Sequence, residues 1–395
     1  MNETLSTLFS MVVCALNHQP FSKAITNDQT LYQVARDNGF SGLVFSSLLK
    51  ANLSAAVYHD FQRDFYQYKA KDVVQNLAIR EITQLFANAE IKHMYLKGAF
   101  LKTIYPESYM RSMGDIDILI ESQTMSEVHH LFAEAGYKLQ SVGPTHDLFT
   151  KGKDIIVEVH PGIDKHFEAN HQAVMNDIWE HTNLISGYEY RLDKEYQVIY
   201  LLCHLAKHMK SSGVGLRQIL DIGILLNDTK DTVNTNQLSI LLSQTKLMRF
   251  FETIQWLNEK WFGLQPLQGT IYPEDFTDDF LGEVTTFIAA SGTHGKAKGF
   301  NTMLPRLSYY TGVNKSVRVG KASAIFHVLF LPYDEMKSGR PYLQKHKWLL
   351  PFAWIGRWWK LLFKTTKRSL KKLHELSIDA NTVSHQAEMN KKIGL

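Results

Sequence analysis

Apolar positions along the chain change period twice. Through residues 1–90 they recur at helical spacing: Leu5, Leu8, Met11, Val12 and Leu16 first, then a helix expected from Ser54 into Gln67 and a third from Lys71 to Ala89, with Val74, Leu77, Ile82 and Leu85 near one face. Over residues 91–164 the period drops toward two. His93-Met94-Tyr95-Leu96 is a short apolar run that stops at Gly98, as a strand entering a helix does. Ile116, Ile118 and Ile120 alternate with Asp115, Asp117 and Leu119. Met125 to Ala135 reads as a helix closed by Gly136, Tyr137 to Gln140 as a strand, and His146–Thr150 with Asp154–His160 as a hairpin around Lys151-Gly152-Lys153. Helical spacing returns over residues 165–300. Tyr196 to Met209 is the clearest segment, Gly213-Val214-Gly215 breaks it, Leu216 to Leu226 restarts it, and two packing helices follow within 233–262.

This order predicts an α/β (α+β) fold: a small mixed sheet at 91–164, preceded by an N-terminal helical segment at 1–90 and followed by a helical domain at 165–300 that forms the other wall of a cleft. A C-terminal basic, Trp-rich segment at 301–376 and a disordered tail at 377–395 complete the expected organisation.

Composition narrows the class. A hydrophobic fraction of 45% in 395 residues is enough for two or three packed units and excludes wholesale disorder. Two distant cysteines, Cys14 and Cys203, suit a reducing compartment, and the Met1-Asn2-Glu3-Thr4 start lacks the basic residues of a signal peptide. No apolar run is long enough to span a bilayer, so a cytoplasmic protein is expected. The net charge of +4 is uneven, because residues 337–374 carry eleven Lys/Arg and no Asp/Glu. Trp348, Trp354, Trp358 and Trp359, four of seven tryptophans, fall in that stretch. Basic residues interleaved with Trp and Leu suit an anionic membrane surface, hence a peripheral location on the inner face; a solvated face on a packed helix, and less well nucleic acid, are the alternatives.

The chemistry concentrates on one strand. Successive side chains of a strand alternate faces, so Asp115 and Asp117 point the same way. Two like charges on one face repel, and a divalent cation such as Mg²⁺ offsets that repulsion. The last strand of the hairpin, Ile155-Ile156-Val157-Glu158-Val159-His160, brings Glu158 beside the aspartates, and His160 shares the Glu158 face. A glycine at Gly98 allows backbone N–H groups to approach a phosphate. Farther on, His204 and His208 lie one helical turn apart, as do Arg217 and Asp221. The histidine pair lacks the glutamate of a His-Glu-x-x-His zinc motif, and no P-loop, Rossmann fingerprint or nucleophile elbow is present.

Lys97-Gly98-Ala99, Arg111 and the Asp115/Asp117 pair, with Val157-Glu158-Val159-His160, resemble the nucleotidyltransferase superfamily to which DNA polymerase β belongs, and within it an uncharacterised bacterial branch often associated with surface polysaccharides. Ala99 departs from the pattern, standing where a small hydroxyl residue or second glycine is usual. The resemblance implies NTP-dependent transfer of a nucleoside monophosphate to a hydroxyl-bearing acceptor, with pyrophosphate released. It implies Mg²⁺ or Mn²⁺ on Asp115, Asp117 and Glu158, and phosphate contacts from Lys97, Gly98, Ala99 and Arg111. His160, His204, His208, Arg217 and Asp221 are candidate substrate contacts. Two rival readings are an inactive scaffold of the same fold at the membrane and a toxin-antitoxin-type enzyme that modifies tRNA or protein.

Overall fold

The computed structural model describes residues 2–295, 297–311, 326, 329–331, 333–338, 340–363 and 378–395. Its centre is one mixed sheet built from β1 (His93–Tyr95), β2 (Ile116–Ile120), β3 (Lys138–Val142), β4 (Asp147–Lys151), β5 (Ile155–His160), β6 (Thr182–Ser186) and β7 (Glu189–Leu192), in the order β3-β4-β5-β2-β1-β7-β6. Strand β2 runs antiparallel to β1 and parallel to β5, which places Asp117 directly beside Glu158 and Leu119 beside His160. The β4–β5 hairpin is antiparallel, as the short Gly152 loop predicts.

Alternation sorts the strand residues between two cores. Ile116, Ile118, Ile120, Val157 and Val159 face a cluster closed by Ile82, Phe86, Val128 and Phe132. The opposite face carries Asp117, Glu158 and His160, while Leu119 on that face enters the larger helical core. Helices surround this arrangement: α1 (Glu3–Leu16), α2 (Asp28–Asp37), α3 (Ser41–Val44), α4 (Ala55–Asn88), α5 (Lys97–Leu101), α6 (Met125–Glu134), α7 (Ala169–Met175), α8 (Lys194–Ser211), α9 (Leu216–Thr229), α10 (Thr235–Thr245), α11 (Met248–Phe262), α12 (Asp278–Ser291) and α13 (Leu304–Thr311).

Three expectations need correction. The two helices expected between residues 54 and 89 are one, α4. Its apolar stripe changes phase because its halves bury different faces: Val57 and Phe61 enter the helical core, whereas Ala78, Ile82 and Phe86 cover the sheet. Good helix formers at Lys69-Ala70-Lys71 carry the chain across the change. The stretch after 165 is not uniformly helical, since β6 and β7 form a hairpin turned at Gly187 (φ +54°), and β7 extends the sheet by pairing parallel with β1. These strands are short, and β6 is mostly exposed, so their alternation is faint.

The tail expected to be disordered contains a helix, Ala380–Ile393, capped by the Asp379 side chain. Val383 and Ile393 are fully buried, against the α13 and α11 regions respectively. Polar composition concealed it because Gln386 and Asn390 are buried in a hydrogen-bonded chain, with Asn390 Nδ2 donating to Ser308 Oγ at 3.1 Å. Within the basic segment the structure describes a helix, Leu350–Phe363. Residues 364–374, which the expected membrane contact includes, lie outside the described residues. No described helix is long and apolar enough to cross a membrane.

Candidate active site

Asp115 lies just before β2 and Asp117 within it, and both open onto a cleft between the sheet and helices α8 and α9. Leu96 N–H donates to the Asp117 backbone carbonyl at 3.0 Å, which ties the β1–α5 turn to the acidic strand. Lys97 takes a left-handed backbone conformation there, with φ +46°. That conformation costs a non-glycine residue about 1–3 kcal/mol and is kept only where surrounding structure enforces it. The Lys97 ammonium donates to Asp117 Oδ1 at 2.8 Å. Burial alone would lower the lysine's pKa; the Asp117 charge, helped by Tyr200 and Glu158, raises it instead.

Gly98 lines the cleft because a Cβ there would lie 2.8 Å from the Met113 Cβ. Met113 is itself buried, so Gly98→Ala is expected to displace the loop before Asp115, costing about 1–3 kcal/mol of stability. Urea denaturation measures this, and a loss below about 0.5 kcal/mol would mean that the loop yields freely. Ala99 packs into the sheet core and does not line the cleft. Helix α5 is only five residues long, so the charges facing the cleft come mainly from side chains.

Three carboxylates stand close together. Burial would raise Asp117, but Lys97 and His160 overcome it and hold the carboxyl well below the usual range. His160 Nε2 is 3.0 Å from the same Asp117 Oδ1 that Lys97 contacts. Burial and the Asp117 charge push Asp115 up. Burial, with Asp117 and Asp115, pushes Glu158 up to about 7. Only Asp117 is held below the usual range, and a cation would favour the ionised form of the other two.

Two guanidiniums line the same cleft. Arg111 is buried, donates from Nε to Asp221 Oδ1 at 2.6 Å and reaches the Ser112 carbonyl at 2.6 Å. Tyr105 also donates to Asp221 Oδ1, at 2.8 Å. Asp221 therefore answers Arg111 across the cleft rather than Arg217 on its own helix. Arg217 is buried and its Nε meets no hydrogen-bond partner among the described residues. Room for its guanidinium comes from Gly39 (φ +74°), where a Cβ would lie 2.8 Å from Nη1. Burial, and then Arg111, lower the Arg217 pKa. A buried guanidinium short of partners, beside a second one, is suited to an anion with several oxygens.

The structure thus gathers Lys97, Gly98, Arg111, Asp115, Asp117, His204, Arg217 and Asp221 along one cleft. Glu158 and His160 adjoin it through Asp117. His208 packs edge-on against His204, with ring centroids 4.4 Å apart, and its Nδ1 lies 3.2 Å from Ser212 Oγ. Two residues escaped the sequence reading. Lys71 of α4, from a helix that reads as mere packing, acts electrostatically on Asp115 and Arg217. His146 lies 3.5 Å from Glu158. The hairpin register signals it, since extending the Asp147–Val159 pairing by one residue sets His146 opposite His160.

A family model described as an uncharacterised nucleotidyltransferase matches residues 26–263, more than half of the chain. No curated protein and no solved structure matches.

Proposed function

The chain belongs to that nucleotidyltransferase family, and on this premise we propose that it transfers a nucleoside monophosphate from an NTP to a hydroxyl acceptor, releasing pyrophosphate. The observation that carries the reading is that Asp115 and Asp117, with Glu158 beside them, share one cleft with the buried guanidiniums of Arg111 and Arg217. A divalent cation fits the acidic side, because oxygen donors suit Mg²⁺, which is commonly held by one or two carboxylates plus substrate phosphates. Asp115 and Asp117 would hold it, and it would supply charge neutralisation at the transferring phosphoryl group.

The chain's own side chains do the rest. Arg217, with Arg111, receives charge that accumulates on the leaving pyrophosphate. Lys97 keeps Asp117 ionised and supplies a second cation at the phosphates. Glu158, pushed up to about 7, is poised to accept the acceptor hydroxyl's proton near neutral pH, with His160 orienting the pair.

The acceptor is an envelope or lipid-linked hydroxyl, the surface-polysaccharide reading, held at an anionic membrane surface. Trp348, Phe352, Ile355 and Trp359 support that location: they are exposed, and their spacing of three to four residues makes one helical stripe among basic residues.

One observation favours a second reading. Both Lys97 and His160 already occupy Asp117 Oδ1, which would suit a scaffold that keeps the fold without turnover. Calorimetric titration of each NTP, with Mg²⁺ and then with chelator, tests the main reading. Metal-dependent binding is expected, with pyrophosphate formed once an acceptor is supplied. Absence of binding to any NTP, or binding indifferent to metal, would overturn the main reading, and metal-dependent binding without pyrophosphate release would support the scaffold.

A further inference from the structure

Beside the Asp115–Asp117 pair, two imidazoles and a carboxylate converge. One ligating atom from each of His146, Glu158 and His160 lies within 4.8 Å of the others. His146 Nε2 is 3.5 Å from Glu158 Oε1, and His160 Nε2 is 3.7 Å from Glu158 Oε2. The two imidazole centroids are 5.2 Å apart and the rings are tilted by 57°. A cation bonded at about 2.0–2.2 Å to each of three donors separates them by roughly 3–3.5 Å, so small side-chain rotations would close the site.

Backbone pairing builds this placement. Glu158 and His160 share a face of β5, and the β4–β5 register brings His146 opposite His160. Asp117 Oδ1, 3.0 Å from His160 Nε2, adds a second carboxylate at the edge of the cluster.

We propose that His146, Glu158 and His160 form a binding site for a first-row transition-metal dication, a site that selects against Mg²⁺. The donor set decides the metal. Imidazole nitrogen suits Zn²⁺, Fe²⁺ and the other later first-row ions, whereas Mg²⁺ takes near-ideal octahedral oxygen and gives up its water reluctantly. On binding, the His160 Nε2 lone pair goes to the metal and the ring's proton sits on Nδ1. Asp117 Oδ1 then trades its contact with His160 for the metal, keeping the ion pair with Lys97. The inference deepens the nucleotidyl-transfer reading, since it puts one Glu158 oxygen on a metal different from the ion at Asp115 and leaves the other oxygen for the acceptor's proton. The two are tested apart because this site requires no nucleotide.

The test uses the full chain, stripped with chelator and dialysed, with no NTP present. Mn²⁺, Zn²⁺ and Mg²⁺ are titrated separately by calorimetry, and the Mn²⁺ complex is examined by pulsed electron paramagnetic resonance for ¹⁴N coupling. Zn²⁺ is expected to bind more tightly than Mn²⁺ and at about one equivalent, and Mg²⁺ at least about tenfold more weakly than Mn²⁺. Nitrogen coupling is expected with Mn²⁺. His146→Ala and His160→Ala should each weaken Mn²⁺ and Zn²⁺ by about tenfold or more. His146→Gln, which keeps polarity at the half-buried strand entry, provides a second variant, and circular dichroism checks each fold. Equal affinity for Mg²⁺ and Mn²⁺, absent nitrogen coupling, or folded histidine variants with wild-type affinity would overturn the site. Failure of NTP binding in the separate titration would overturn only the transfer reading.

Discussion

Asp115→Asn is expected to weaken metal-dependent NTP binding strongly while leaving the metal-free protein at least as stable as the wild type. Asp115 is half-buried beside Asp117, and both desolvation and that charge push its pKa up. The sign follows from linkage. A carboxyl whose folded pKa exceeds its unfolded value binds more protons in the native state between the two values, so stability falls as pH rises through that window. At pH 7, above the unfolded value, the Asp115 carboxyl therefore costs stability, and asparagine removes the cost while keeping the shape. In chelator the variant's Tm should equal or exceed wild type at pH 7, with the gain fading at acidic pH. With Mg²⁺ present, NTP affinity should fall by about a hundredfold, or roughly 2.7 kcal/mol. Unchanged Mg²⁺-dependent affinity would remove Asp115 from the metal site. Asp117→Asn is a poorer test because it strips the half-buried Lys97 ammonium of its counter-charge.

The second large effect concerns Asp221. Its carboxylate is the acceptor for Arg111 and Tyr105, with the Arg217 guanidinium close by. Both side chains of the Arg111–Asp221 pair are under 10% exposed, at 9% and 7%. Removing one partner from a buried pair leaves a desolvated charge, and about 3–5 kcal/mol of stability is expected to go with Asp221→Asn. Here two guanidiniums would be left facing each other. Pyrophosphate should therefore raise the variant's Tm more than it raises that of the wild type, because a ligand that binds only the native state stabilises it by mass action. Scanning calorimetry with and without pyrophosphate measures both effects. A loss below about 1 kcal/mol would show that water or relaxation replaces the carboxylate. Equal pyrophosphate shifts would place the phosphate pole elsewhere.

Local periodicity made part of this legible. The alternation at 115–120 and 155–160 placed Asp115 and Asp117 on one face, and Glu158 and His160 on one face, before any contact was known. The parallel pairing of β2 with β5 then joined the two faces. Periodicity cannot report which distant charge answers another. Arg217 and Asp221 share a helix face, yet Asp221 pairs with Arg111, which comes from 110 residues away. Lys71 was hidden in the same way, since a charged residue on a long helix looks solvated until the sheet is placed against it. The C-terminal helix was missed because its buried positions include Gln386 and Asn390, whose burial only their hydrogen bonds explain.

That C-terminal helix changes how the basic segment is attached. Helix α13 ends at Thr311 and the final helix starts at Ala380, and the two pack together through Met303, Leu307 and Val383. Arg249 Nε of α11 donates to the Lys392 carbonyl at 2.6 Å, fixing the end a second time. The described residues on either side of 312–377 are therefore held at neighbouring points of the body. A segment held at both ends has its reach halved relative to a tail of the same length. Any surface that captures the Trp348–Trp359 stripe consequently restricts how the whole body can turn above it, as a two-legged mooring does and a single line does not.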